Sequence, residues 1–208
     1  MSTVLVVKAN PKETEHSFSL RLTESFLNEY KQVNPNDEVI ELDLYKQGVP
    51  FIDADVLSAW GKFAAGGELT ATELEKVGKI DALTEQFIAA DKVVFEAPMW
   101  NFSFPPFLKA YIDTISIAGK TFKYTEHGPV GLLDDKPVVL FEARGGVYSE
   151  GPAKGLDHTE SYLRTVMNFV GIESFKAIVA EGMAQAPEQA EEIYTEVEKQ
   201  AVELAKTF

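Results

Sequence analysis

Lys92-Val93-Val94-Phe95-Glu96-Ala97-Pro98-Met99-Trp100-Asn101-Phe102 is the stretch whose reading decides the fold. Its first part, Lys92 to Ala97, is an apolar run that reads as a buried parallel strand. Pro98 to Phe102 then form a rigid, aromatic and amide-bearing loop, and Pro105-Pro106-Phe107-Leu108-Lys109-Ala110-Tyr111 opens a helical pattern. Open α/β sheets place their ligands at such strand-to-helix connections, outside the carboxyl ends of the strands. Met99, Trp100 and Phe102 offer flat or polarisable apolar surface, while Asn101 and the loop N–H groups offer directional donors. That mixture suits a planar heteroaromatic ring with polar edges, such as a flavin. The competing reading is an apolar connection packed for stability alone.

Outward from this segment the pattern alternates. Thr3–Lys8 reads as a first strand, followed by a helix from about Ser19 to Lys31 with Leu22, Phe26, Leu27 and Tyr30 at helical spacing. Asn34-Pro35-Asn36-Asp37 is a turn cluster, and Glu38–Leu44 a second strand. Beyond the central segment, Pro137–Ala143 reads as a fourth strand, Thr159–Val170 as a helix, Phe175–Ala180 as a fifth strand, and a last helix starts at Pro187. Strands alternating with helices indicate a doubly wound parallel sheet, and five of them suit the flavodoxin-like order 2-1-3-4-5, with its switch point between strands 1 and 3. A long insert, about residues 45–91, separates strands 2 and 3. It carries two helical patterns, around Val56, Leu57 and Trp60 and around Leu74, Ile80, Leu83 and Phe87, with Gly66-Gly67 between them. No linker, repeat or low-complexity tract interrupts the chain, so residues 1–208 read as one domain with a helical elaboration.

Composition narrows the function classes. The 208 residues include no cysteine, which excludes disulfides, thiol nucleophiles and Cys-ligated metal centres. A net charge of −14, from 19 basic and 33 acidic residues, argues against nucleic acid or an anionic membrane as the main partner. The apolar strand near the N-terminus lacks the flanks of a signal peptide, and no apolar run approaches the ~20 residues of a membrane span, so a soluble cytoplasmic protein is expected. His16, His127 and His158 are scattered without a metal or hydrolase motif, which leaves no metal site and no protein nucleophile.

On this topology two further loops should reach the ligand. The first, after strand 1, runs from Lys8 through Asn10 to Ser17-Phe18-Ser19, where both serines are placed to cap a helix whose free N–H groups attract an anion such as a monophosphate. The second, Ala143-Arg144-Gly145-Gly146, brings bare backbone close to a ligand. Neither the triphosphate-loop pattern nor Gly-x-Gly-x-x-Gly is present, so ATP and a Rossmann-bound dinucleotide are not expected.

These residues, in this order, resemble the FMN-dependent NADH-azoreductases, a branch of the flavodoxin-like NAD(P)H:quinone oxidoreductases. The resemblance rests on Ser17-Phe18-Ser19, on Pro98-Met99-Trp100-Asn101-Phe102 with Pro105 and Leu108-Lys109, and on Gly119-Lys120-Thr121-Phe122-Lys123-Tyr124-Thr125. It continues through Gly128-Pro129, Arg144-Gly145-Gly146, Phe169-Val170-Gly171-Ile172 and Glu181-Gly182, covering nearly the whole chain. It implies that Ser17 to Ser19 hold the FMN phosphate, that Met99 to Phe102 line the ring and ribityl chain, and that Ala143 to Gly146 border the pyrimidine end. Asn10 and Pro98 complete the expected cofactor set. It further implies a homodimer with sites at the interface. Phe122 and Tyr124, on a loop after the helix that follows strand 3, are then placed to cover the partner's site, and Trp60 in the insert to add wall for the substrate; the competing reading of each aromatic is ordinary packing. NADH would reduce flavin N5 and a quinone or azo compound would then reoxidise it, with no obligatory catalytic side chain. Two positions depart from the pattern: Ala143, where relatives often have Ser, and Phe18, where Gln is frequent. A flavodoxin-like electron carrier without NADH turnover is the alternative within the same fold. A receiver-type signalling domain would need an Asp at the end of the third strand, where this chain has Glu96-Ala97-Pro98.

Overall fold

The computed structural model describes all 208 residues. Five strands form one parallel sheet: β1 (Thr3–Lys8), β2 (Glu38–Asp43), β3 (Lys92–Pro98), β6 (Val138–Ala143) and β7 (Phe175–Ala180), in the spatial order β2-β1-β3-β6-β7. This is the order 2-1-3-4-5 of the main sheet, as the alternating pattern anticipates. Helices α1 (Phe18–Val33) and α7 (Ala190–Ala205) cover one face, while α4 (Ala71–Ala89), α5 (Pro106–Ile115) and α6 (Glu160–Val170) cover the other.

Alternation along each strand explains the two layers. Val4, Val6, Val94, Val139 and Phe141 point towards α1 and α7, packing on Leu22, Phe26, Tyr30, Tyr194 and Ala201. Leu5, Val7, Val93, Phe95 and Leu140 point the other way, onto Leu83, Phe87, Leu108, Tyr111, Leu163 and Met167. A central strand covered on both faces needs apolar residues at every position. In that setting Glu96 on β3 and Glu142 on β6, each 0% exposed, are the exceptions.

The insert comprises a short α2 (Leu44–Gln47), α3 (Ala54–Ala65) and α4. Asp43 caps α2, Asp53 caps α3, and Thr70 with Glu73 forms a capping box on α4. Gly66 ends α3 with φ +69°, a left-handed conformation that glycine adopts without penalty.

The structure corrects the sequence reading at several boundaries. The segment Phe122–Tyr124, read as a loop, is strand β4 (Phe122–Thr125) of an antiparallel hairpin with β5 (Gly128–Gly131). The first helix begins at Phe18, Leu44 belongs to α2 instead of strand 2, and Pro187–Gln189 form a 3-10 turn before α7.

Candidate cofactor site

Register sets the site. Lys8 of β1 pairs with Glu96 of β3, Pro98 with Ala143 of β6, and Ala143 with Ala180 of β7, so four strand ends open on one edge. The loops leaving them enclose a cleft of about 310 Å³. Asn10, Lys12, His16 and Ser17 to Ser19 line it from the first loop, Pro98 to Trp100 from the second, and Ala143 to Gly145 from the third. Met183 and Ala184, from the loop after β7, close the fourth side.

The first loop is built to hold an anion. Ser17 caps α1 by accepting from the Leu20 N–H. The amides of Phe18 and Ser19 make no hydrogen bond within the chain, which leaves two donors at the positive end of a 16-residue helix. Lys12 and His16 add basic groups at the mouth. Ser19 is no cap: it is fully buried and donates to Glu96 Oε1 at 2.5 Å. Asn10 Nδ2 bridges Ser17 Oγ at 2.7 Å and Glu96 Oε1 at 3.4 Å. Burial pushes the Glu96 carboxyl up to about 7 despite these donors.

The second loop is held in an unusual shape. Trp100 and Ser103 exchange backbone hydrogen bonds of 2.6 and 3.0 Å around a two-residue turn. Asn101 and Phe102, at its tip, both have positive φ, +49° and +69°. Positive φ at both central residues is the requirement of a type I′ turn; Asn tolerates it and Phe does so only under strain. The His158 N–H donates to the Phe102 carbonyl, and the Phe102 ring meets Tyr148 edge-on at 6.1 Å, which helps hold the turn. The turn stands on the rim while Met99 and Trp100 face the cleft. The Met99 N–H donates to the Ala143 carbonyl, tying the second loop to the third.

In the third loop, Arg144 contributes backbone to the cleft wall, but its side chain serves another purpose. The guanidinium, 3% exposed, binds Glu142 at 2.8 Å and Asp157 and Glu181 at 2.9 Å each. Burial opposes its charge, yet the hydrogen bond to Glu142 and the surrounding carboxylates hold its pKa above the ordinary value. Burial also pushes Glu142 up to about 7, against the pull of Arg144. This cluster ties the loop after β6 to the loop after β7. The amides of Gly145 and Gly146 have no partner within the chain. A Cβ on Gly145 would meet that of Ala184 at 3.3 Å, and one on Gly146 would meet Tyr148 at 3.3 Å. A side chain at either position would need its neighbour to give by a few tenths of an ångström.

Asn10, Ser17, Phe18, Ser19, Pro98, Met99, Trp100, Ala143, Arg144 and Gly145 therefore line one cleft. Asn101 and Phe102 sit at the rim, and Gly146 lies under Tyr148. Within one chain Trp60, Phe122 and Tyr124 do not reach this cleft. Trp60 lines a separate apolar groove of about 440 Å³ with Phe63, Leu74, Val77 and Ile117. Phe122 packs at 4.5 Å on Phe169, and Tyr124 is 75% exposed on the hairpin. The sequence does not single out Lys12, His16, Met183 and Ala184 on the cleft wall, or Glu96 beneath it. A lone acid inside an apolar strand is the signal that marks Glu96.

The donor set fits FMN. Free amides and a serine hydroxyl at a helix N-terminus suit its phosphate, the apolar walls of Met99 and Trp100 suit its ring, and the unpaired Gly145 and Gly146 amides suit the ring's polar edge. No cluster of His, Asp or Glu capable of holding a metal ion is present.

Comparison with known proteins agrees with this geometry. A family model described as flavodoxin-like fold matches residues 2–205. An FMN-dependent NADH:quinone oxidoreductase of Geobacillus kaustophilus (strain HTA426) is 52% identical over 211 residues, and the match covers 100% of both chains. FMN-dependent NADH:quinone oxidoreductase 2 of Bacillus subtilis (strain 168) is 48% identical with the same full coverage. Among solved structures, the azoreductase from Bacillus anthracis str. Sterne superposes with a TM-score of 0.94 at 45% identity, over 100% of both chains. An FMN-dependent NADH-azoreductase from Bacillus anthracis str. Ames Ancestor in complex with FMN superposes with a TM-score of 0.90 at 37% identity, over 99% of this chain and 100% of the other. The chain belongs to the flavodoxin-like fold family, in its branch of FMN-dependent NADH:quinone oxidoreductases and azoreductases.

Proposed function

We propose that this protein is an FMN-dependent oxidoreductase that draws electrons from NADH and delivers them to quinones and aromatic azo compounds. The observation that carries the reading is the convergence of a phosphate-ready helix N-terminus, an apolar aromatic wall and two unpaired glycine amides on one sheet edge. It is supported by full-length relatives carrying that activity in their names. Bound FMN would supply the redox chemistry, carrying an electron pair from NADH to the acceptor through its N5 in two half-reactions.

The chain's own residues bind, orient and stabilise. Ser17, with the amides of Phe18 and Ser19, holds the phosphate, Lys12 balances its charge, and His16 borders it. Asn10 orients Ser17 from below. Pro98, Met99 and Trp100 form the ring wall, while Asn101 and Phe102 edge the ribityl chain and the entrance. The backbone of Ala143, Arg144, Gly145 and Gly146 borders the pyrimidine end, where the two glycine amides stabilise negative charge that develops at the N1/O2 edge. No side chain is required as acid or base.

The reading includes a homodimer built from single FMN-binding domains spanning residues 1–208. Exposed Phe63, Leu74 and Tyr124 and the groove beside Trp60 form apolar surface outside the cleft, and such surface favours association. A partner copy would bring Trp60, Phe122 and Tyr124 to the neighbouring flavin as substrate-contacting wall. Steady-state rates with NADH varied at several fixed quinone concentrations test the alternation at one flavin face. Parallel double-reciprocal lines are expected; intersecting lines would require both substrates to be bound together.

A further inference from the structure

We propose that Glu96 is a positioning residue for the phosphate of FMN, and that binding of this phosphate is coupled to uptake of one proton by the Glu96 carboxyl. The inference rests on the reading of the cleft as an FMN site and goes beyond it, because no atom of Glu96 lines the cleft. The carboxyl sits directly beneath the phosphate loop. It is 0% exposed, receives Ser19 Oγ at 2.5 Å and Asn10 Nδ2 at 3.4 Å on Oε1, and has no partner on Oε2. A buried carboxylate with one oxygen left without a donor is poorly stabilised as an anion.

Counting hydrogens shows how it acts. Ser17 Oγ accepts from Asn10 Nδ2 and from the Leu20 N–H, so its own hydrogen is left to donate, either to Ser19 Oγ at 3.1 Å or into the cleft. While Glu96 is ionised, Ser19 gives its only hydrogen to Oε1 and offers nothing to an anion above. Once Glu96 is neutral, its own O–H donates to Ser19 Oγ, and the Ser19 hydrogen turns towards Ser17 or the cleft. Protonation thus removes a negative charge below the phosphate and adds a donor to the loop that holds it. Both changes favour a bound dianion, and by linkage the bound dianion favours the neutral carboxyl. Burial already pushes the Glu96 carboxyl up to about 7, so the coupling falls within the ordinary working range.

The surrounding charges leave Glu96 as the titrating group. Lys8 on β1, the residue in register with Glu96, acts on it as a cation and pairs with Glu41. On β6 the residue in register is Phe141, and Glu142 points to the opposite face and binds Arg144. On α1 and α7, Arg21 pairs with Glu191 and packs on Tyr194. His16 and Lys12 line the cleft above it.

The test measures FMN and riboflavin affinity of the apoprotein by quenching of flavin fluorescence between pH 7 and 8.5, for the wild type, Glu96→Gln and His16→Asn. Riboflavin lacks the phosphate. Wild-type affinity for FMN is expected to fall by about fivefold from pH 7 to 8 and to approach the tenfold per pH unit of one-proton coupling above that, while riboflavin affinity stays level. Glu96→Gln should be level for both ligands and bind FMN at pH 8.5 at least tenfold more tightly than the wild type does; His16→Asn should keep the slope. Titration calorimetry at pH 7.5 in buffers of different ionisation enthalpy gives a readout that needs no variant: about one proton taken up with FMN and none with riboflavin. A level wild-type FMN profile, a slope that survives in Glu96→Gln, or no proton uptake would overturn the inference while leaving FMN binding intact. Binding of neither flavin at any pH would instead overturn the cofactor reading itself, and this inference with it.

Discussion

Replacing Arg144 by Met tests whether the Arg144 cluster is a structural clamp for the cofactor loops. Arg144 is almost fully buried and binds three carboxylates, of which Glu142 is wholly buried and Asp157 and Glu181 are mostly so. Methionine keeps much of the volume and removes the charge. Glu142 is then left as a buried carboxylate without its counter-ion, a change that typically destabilises by about 3–5 kcal/mol. For a chain of this size that corresponds to a fall in Tm of roughly 6–20 °C near pH 8. The loss should depend on pH with a definite sign. The folded-state value of Glu142, about 7, lies above its ordinary 4.5, so its burial withdraws stability as pH rises from 4.5 towards 7. Without Arg144 that value climbs further, and the variant keeps losing stability above pH 7 where the wild type has levelled off. At pH 5.5 Glu142 is neutral in both proteins and the deficit shrinks to the lost contacts with Asp157 and Glu181. Differential scanning calorimetry of both apoproteins at pH 5.5 and pH 8 measures the difference. A deficit below about 2 °C at pH 8, or one equally large at pH 5.5, would refute the clamp.

Other residues give equally direct tests. Ser17→Ala removes both the α1 cap and a phosphate donor; FMN affinity should fall at least tenfold in fluorescence titration while riboflavin affinity changes little, and apoprotein stability should drop by about 1 kcal/mol. Gly171→Ala should destabilise strongly, because Gly171 has φ +108° and an added Cβ would lie 2.5 Å from the Leu133 carbonyl; loss of more than about 2 kcal/mol in urea unfolding is expected. Sedimentation equilibrium should give twice the 23.0 kDa chain mass, and Phe63→Glu, which places a charge beside the Trp60 groove, should shift the population towards monomer. A monomeric wild type would remove the proposed second-subunit role of Trp60, Phe122 and Tyr124.

Most of the fold was legible in the sequence because its three central strands, β1, β3 and β6, are buried on both faces and read as apolar runs, while the edge strands β2 and β7 alternate. The order of the sheet followed from alternation with helices together with the count of strands. The β4–β5 hairpin was not legible, since Lys123, Tyr124 and Thr125 are exposed, the strands are four residues each, and Gly128-Pro129 reads as a turn. Much of the cleft was legible for a different reason: the switch-point rule selects three strand ends, and Asn10, Ser17 and Met99 follow directly from it. Side-chain direction was not. Arg144 looks like a free cation in the sequence, and only tertiary structure reveals the three carboxylates that hold it. Ser19 looks like a second cap, yet it lies beneath the loop because it answers to Glu96 on β3, 77 residues away. Trp60 lines a groove of its own within one chain, and a groove and a pocket leave the same aromatic signature in a sequence.

The most direct test of the account is the visible spectrum of the FMN-loaded protein, recorded anaerobically before and after one equivalent of NADH and again after a quinone. The account predicts a protein-bound flavin spectrum that bleaches with NADH and recovers on adding the quinone. A bound flavin that NADH leaves unchanged, or a protein that retains no flavin on gel filtration, would contradict it.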